Sequence, residues 1–160
     1  MDPAITYLVG DATAPAGTGP KILAHIVNDA GAWGRGFVLA ISRRWPNPEH
    51  SYRQWHAHRA TNDFALGAVQ LVAVTDEIHV ANMVGQHGIR RRGSSNVPIR
   101  YDALAQCLSR LASHAAALNA SVHMPRIGTG LAGGTWSAIE PLITEHLCSN
   151  SIPVTVYDRP

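Results

Sequence analysis

The sequence predicts a three-layer α/β/α fold on a central mixed, mostly parallel sheet, and three observations lead there. Apolar runs of strand length alternate with helical periodicities along the whole chain. The segments between strands have lengths that suit parallel crossovers. One run, "KILAHIVN" at 21–28, is nearly continuous in apolar residues, as are strands covered on both faces. At 160 residues a single domain, 1–160, is expected, with enough chain to bury a real core.

The elements follow in order. "AITYLVGD" reads as a first strand ending at Gly10-Asp11, and "KILAHIVN" as the second. "FVLAISRRW" suits a short helix stopped by Pro46, and "PEHSYRQWHAHRA" a further helix. "GAVQLVAV" and "EIHVANMV" read as two strands around a tight turn at Thr75-Asp76. From about Arg100 to Leu118, Leu104, Cys107, Leu108, Leu111, Ala115 and Leu118 recur at spacings of three and four, a single helical stripe, with Asn119 as a left-handed stop. "SVHMPRIG" is read as a strand, "WSAIEPLITEHL" as a helix and "PVTVYD" as the closing strand. Ser137 and Glu140 have capping-box spacing, while Pro141 suits a first helical turn, so two starts are open for that helix.

Composition excludes several classes. With 46% hydrophobic and 15% charged residues the chain is no disordered segment. A formal charge of +2 does not indicate nucleic acid, but it is compatible with an anionic small ligand. Cys107 and Cys148 have neither metal spacing nor the numbers of a disulfide framework, and are read as reduced core residues. His56-x-His58 is the only close histidine pair, and on a helix rings at i and i+2 point apart, so no metal is expected. The start "MDPAITYLVGD" lacks the apolar stretch of a signal peptide, and no run approaches a membrane span. A cytoplasmic protein with no membrane partner is expected.

Chemistry concentrates in loops. In open α/β sheets ligands sit beyond the carboxyl ends of strands. Three loops can share that edge: "GDAT", "NDAGAWGRGF" and "RIGTGLAGG". Two are glycine-rich, and glycine is costly in regular structure. A glycine-rich turn before a helix exposes backbone N–H groups, which with the helix dipole favour an anion, and two facing turns suit a diphosphate. Neither is a Walker A sequence, and neither has G-x-G-x-x-G spacing. "GIRRRGSSN" at 88–96 is read as a solvated basic loop, with contact to an acidic partner, a nucleic acid or a modified protein as the alternative, and no serine has a nucleophile-elbow context.

Gly10-Asp11-Ala12, "AHIVNDAGAWGRGF", "MPRIGTGLAGGTW" and "VTVYD", in that order across almost the whole chain, resemble a macrodomain, the ADP-ribose-binding module. The branch most similar contains the terminal ADP-ribose protein glycohydrolase and the yeast ADP-ribose 1''-phosphate phosphatase. "GAWGRGF" followed by "RRWPNPEHSY" is similar to the latter's Trp-Gly loop and Arg-Tyr-Pro segment.

The resemblance implies a set of ligand-binding residues. Asp11 would accept from the adenine 6-amino group beside the Ala12 amide, with Tyr157 lining the adenine pocket. Asn28 would face the distal ribose. Gly34, Arg35 and Gly36 would form the first diphosphate loop, and Ile127, Gly128, Thr129, Gly130 and Leu131 the second, Thr129 adding a hydroxyl donor. Trp33 would either shield the ribose or fix the loop. Expected partners are ADP-ribose and ADP-ribosylated proteins, with no cofactor.

The glycohydrolase branch uses a lysine from the strand matching "VANMVGQ" and an aspartate in the second glycine loop; here those positions read Gly85-Gln86-His87 and Ala132. An amide forms no Schiff-base-like adduct and alanine is no general base. Catalytic candidates are therefore Asp29, His25 and Asn28, His25 being expected at the end of its strand. The activity expected is hydrolysis of mono-ADP-ribose from acidic side chains, the alternatives being phosphatase action on ADP-ribose 1''-phosphate or a reader without catalysis.

Overall fold

The computed structural model describes residues 4–160; Met1 to Pro3, including the early acid Asp2, lie outside the described residues. Six strands form one sheet: β1 (Thr6–Val9), β2 (Lys21–Asn28), β3 (Val69–Ala73), β4 (Ile78–Gln86), β5 (Ser121–Met124) and β6 (Val154–Asp158). Their order is β1-β6-β5-β2-β4-β3. Every neighbouring pair is parallel except β3–β4, where the turn at 74–77 joins adjacent antiparallel strands. The expected α/β class is what the chain adopts.

Among the described residues four α-helices cover the sheet: α1 (Val38–Arg44), α2 (Asn47–Ala57), α3 (Tyr101–Leu118) and α4 (Trp136–His146). Strand β2 shows how the layers are made. Ile22 and Ala24 point into a core with Leu104, Leu108, Leu111, Ile139 and Ile143 of α3 and α4. Leu23 and Val27 point the other way, into a core with Ile41 of α1 and Tyr52 and Trp55 of α2. Both faces are buried, so the strand is apolar at successive positions rather than alternating.

Several local signals act as read. Asn119 takes φ +52° and caps α3, donating its N–H to the Ala116 carbonyl at 3.2 Å. Cys107 is buried, and its thiol is pushed up to about 12 by burial. Two details differ. The strand read as "SVHMPRIG" stops at Met124, because Pro125 has no N–H for a ladder and the chain turns away to form the glycine loop. Helix α4 is capped at Thr135, so Ser137 and Glu140 form no capping box and Pro141 lies inside the helix. Glu140 is instead drawn to the Tyr7 hydroxyl, with the Trp136 indole 3.3 Å from its Oε2.

Candidate functional site

Strands β1, β6, β5, β2 and β4 are parallel, so the loops that follow them emerge at one edge of the sheet. From β2 the chain moves outward to β3 and β4; from β5 it moves the opposite way to β6. The gap between β2 and β5 is therefore the switch point where an open α/β sheet leaves a crevice. The two glycine-rich loops are the ones that leave these two strands. Between them lies a cavity of about 600 Å³, reaching from His25 and Asn28 past Phe37 to Tyr157.

The first wall, residues 29–37, is shaped by Asn28. Its Oδ1 accepts from the N–H groups of Ala30 and Ala32 at 3.0 and 3.1 Å, and its Nδ2 donates to the Ala32 carbonyl at 2.8 Å. The fully buried Tyr52 hydroxyl lies 2.6 Å from the Asn28 carbonyl oxygen and 2.9 Å from Oδ1, and accepts from Gly31 N–H. Burial pushes this phenol well above its usual range. Gly31 has φ +80°, and a Cβ there would lie 2.5 Å from the His56 ring. Trp33 is buried and donates its indole N–H to Ser42 Oγ at 2.7 Å, so it fixes the loop rather than lining the cavity.

The second wall, residues 125–134, is folded on itself. Gly134 N–H donates to the Gly128 carbonyl at 2.7 Å and Gly133 N–H to that of Gly130 at 3.0 Å. Gly128 has φ +77°, and a Cβ on it would lie 2.6 Å from Ile99 and 2.9 Å from Ile139. Thr129 lines the cavity, and its hydroxyl donates to the Arg126 carbonyl at 2.8 Å. Among the described residues, the backbone N–H groups of residues 127–132 and 33–36 donate to no protein acceptor. Of these residues, 34–36 and 127–132 line the cavity, so both of its walls carry unpartnered donors. Arg35, Arg90, Arg126 and Arg159 stand around it, Arg126 being held by Asp158 at 2.6 Å.

The remaining expected residues divide. Tyr157 lines the cavity, its hydroxyl 2.7 Å from His123 Nδ1 and accepting from Ala16 N–H. Burial holds the His123 imidazole down at about 4. Asp11 and Ala12 lie beyond the cavity lining; Asp11 accepts from both the hydroxyl and the N–H of Thr13, which hold its carboxyl below the usual range. Asp29 does not line the cavity either. Its two oxygens take His87 Nδ1 and Gly88 N–H, each at 2.7 Å, tying the first wall to the loop after β4. His25 lines the cavity from mid-strand, not from the strand's end, and burial holds its imidazole at about 4.

Phe37, Gln86, Ile89 and Arg90 also line the cavity. Gln86 was findable once β4 is paired beside β2, because it stands opposite Asn28. The sequence places Arg90 in a basic loop, where nothing local distinguishes it from Arg91 or Arg92. The chain's only lysine, Lys21, opens β2 and donates to the Gly19 carbonyl. It lies roughly 23 Å along the strand from Asn28, at about 3.3 Å per residue, so no lysine serves this cavity. Among the described residues no helix is long and apolar enough to cross a membrane.

No protein-family model matches the chain. A solved macrodomain protein from Streptomyces coelicolor is 57% identical, covering 98% of this chain and 99% of that one with a TM-score of 0.87. The DarTG structure of Thermosipho africanus in complex with ADP-ribose shares the fold at 17% identity and a TM-score of 0.68, over 87% of this chain and 38% of that one. The mouse chromodomain-helicase-DNA-binding protein 1-like is 34% identical over 98% of this chain, but the match spans only 18% of that protein's length. An ADP-ribose 1''-phosphate phosphatase of Lodderomyces elongisporus is 27% identical over 96% of this chain and 97% of its own.

Proposed function

The chain belongs to the macrodomain family, and from that premise we propose that its cavity binds ADP-ribose and that the protein hydrolyses mono-ADP-ribose from modified acidic side chains. The observation that carries this reading is the pair of glycine walls, whose residues with unpartnered N–H groups line one cavity from two sides. A diphosphate placed between them accepts from both, in a setting already rich in arginine. Tyr157 walls the adenine end, with Asp11 and Ala12 just beyond it. The distal ribose then lies toward Asn28 and His25.

Hydrolysis is addition of water to the anomeric carbon as the ester C–O bond breaks. The side-chain carboxylate leaves, and the water's proton goes to solvent or a nearby acceptor. With no lysine at the site, the rate comes from positioning and from donors fixed before the reaction starts. Asp29 acts through the loop it holds, and Asn28 through the shape of the first wall.

Phosphatase action on ADP-ribose 1''-phosphate is the second reading, supported by the histidine in the cavity and the 27% identical phosphatase. One experiment separates the readings from each other and from a reader. A protein mono-ADP-ribosylated on glutamate is incubated with wild type and with Gly34→Glu, and free ADP-ribose is measured. Gly34 has open space where a Cβ would stand, so the variant folds while its carboxylate repels the diphosphate. Release by wild type, reduced at least a hundredfold in the variant, is expected. Absence of release with ADP-ribose binding intact would sink the hydrolase reading, and phosphate release from ADP-ribose 1''-phosphate would then select the second.

A further inference from the structure

His25 is one of three polar residues set side by side on the α1–α2 face of the sheet. It stands opposite Asn82 of β4, which stands opposite Gln70 of β3. Their neighbours on that face, Leu23, Val27, Val80 and Val84, are buried apolar residues. His25 and Asn82 are themselves 2% and 0% exposed. Polar groups in such a place are costly unless satisfied.

The hydrogen bonds run in one direction. His25 Nε2 lies 2.5 Å from Asn82 Oδ1. Asn82 Nδ2 donates to Gln70 Oε1 at 3.0 Å and to the Pro48 carbonyl at 3.2 Å, and Gln70 Nε2 donates to the Ser51 carbonyl at 3.1 Å. Amide oxygen and nitrogen are interchangeable in shape, but backbone carbonyls can only accept. Pro48 and Ser51 of α2 therefore fix both amides. Flipping Asn82 would set its oxygen against the Pro48 carbonyl; flipping Gln70 would do the same at Ser51. With Oδ1 the atom facing His25, the imidazole hydrogen must sit on Nε2.

That leaves Nδ1 as a bare lone pair, buried and with no hydrogen-bond partner among the described residues. The Trp33 ring meets the imidazole edge-on at 5.3 Å and the Phe37 ring stands at 6.2 Å, so neither side offers a conventional donor. A buried acceptor of this kind calls for one hydroxyl, which reaches the atom as the Trp33 or Phe37 ring gives way.

We propose that Asn82 and Gln70 are positioning residues that lock His25 as its Nε2–H tautomer, so that Nδ1 accepts a hydrogen bond from a single hydroxyl group, a water or a sugar hydroxyl, admitted from the cavity that His25 lines. His25 is then a neutral acceptor that orients an O–H group, not a proton donor. The identity of the hydroxyl rests on the ADP-ribose reading; the tautomer does not.

The test is long-range proton–nitrogen correlation NMR on the ¹⁵N-labelled protein, which distinguishes the two imidazole nitrogens. Near neutral pH a protonated Nε2 and an unprotonated Nδ1 are expected for His25. A protonated Nδ1 in the wild type overturns the proposal without any variant. In Asn82→Leu, with cooperative unfolding checked separately, the two resonances should move toward each other as the tautomers mix; an unchanged pair overturns the role of Asn82. ADP-ribose and ADP are then added, with the amides of residues 128–131 reporting occupancy. An Nδ1 shift with ADP-ribose alone identifies a hydroxyl of the distal ribose, and a shift with both ligands a group they share. No shift with occupied amides identifies a resident water if Nδ1 of the free protein already resonates upfield of a bare imine nitrogen, and overturns the acceptor role if it does not. Amides that ignore ADP-ribose would defeat the ligand reading instead, with the tautomer already decided.

Discussion

The two glycine walls face the same cavity but are held by different means. The second is anchored in the core: Gly128 sits against Ile99 and Ile139, and the 128–134 carbonyl–amide contact closes the loop on itself. The first hangs from side chains, with Asn28 and Tyr52 bracing its start and Trp33 pinned to Ser42. At Gly34 a Cβ would meet nothing within 4 Å. Glycine therefore means two things in one site. At Gly128 it is demanded by the fold, and at Gly34 only the space in front of the backbone argues for it. The second wall is rigid by packing, while the first is rigid only as far as its hydrogen bonds reach.

The largest way to break this contrast is Gly128→Ala. The left-handed backbone costs about 1–2 kcal/mol for a residue with a Cβ, and overpacking two buried isoleucines adds roughly 1–3 kcal/mol. Denaturant unfolding should show a loss of about 2–5 kcal/mol. Gly34→Glu should leave the midpoint within the range of an ordinary surface change. Equal losses for both would mean that the walls are built alike.

Acid should separate the walls next. His25 lies under Trp33 and Phe37 of the first wall, and its folded value of about 4 lies below the ordinary 6.5. Between those values the unfolded chain binds the extra proton, so the stability this histidine contributes is complete above pH 6.5 and is lost as pH falls toward 4. From pH 7 to pH 5 the loss is about 2 kcal/mol. His123, beneath Tyr157, adds a loss of the same sign. The second wall carries no histidine. In an acid titration followed by amide NMR, signals of residues 30–36 should broaden before those of 128–134, and simultaneous broadening would count against the comparison.

These same residues show what the sequence discloses. Strand β2 was legible to the residue because burial on both faces leaves a nearly continuous apolar run, broken inside only by His25, and Asn119 because few residues accept a left-handed cap. The glycine walls were legible as a pair, since two loops free of side chains at one sheet edge have few other uses. Their supports were not. The partners Asn28–Tyr52, Trp33–Ser42 and His25–Asn82 are separated by 24, 9 and 57 positions, and only the register of β2 on β4 and the seat of α2 bring them together. Asp29 illustrates the converse. Its place beside Asn28 suggests the cavity, yet successive residues leaving a strand face opposite ways, and its carboxylate is taken by His87 and Gly88.

The smallest effect tests whether the first wall depends on hydrogen bonds at all. Tyr52→Phe keeps the buried ring against Trp33 and Phe64 and removes only the hydroxyl. Asn28 Oδ1 retains the Ala30 and Ala32 amides, but Gly31 N–H loses its acceptor. Removing one buried hydrogen-bonding group without a replacement costs about 1 kcal/mol, read as a small drop in the unfolding midpoint. The more telling quantity is local. Amide hydrogen exchange at residues 30–32, whose N–H groups are bonded in the first wall, should quicken while that of Gly133 and Gly134 stays as in wild type, because the two walls share the cavity but no support. Faster exchange in both would mean that the second wall leans on the first, and its apparent anchoring by Ile99 and Ile139 would not be what holds it.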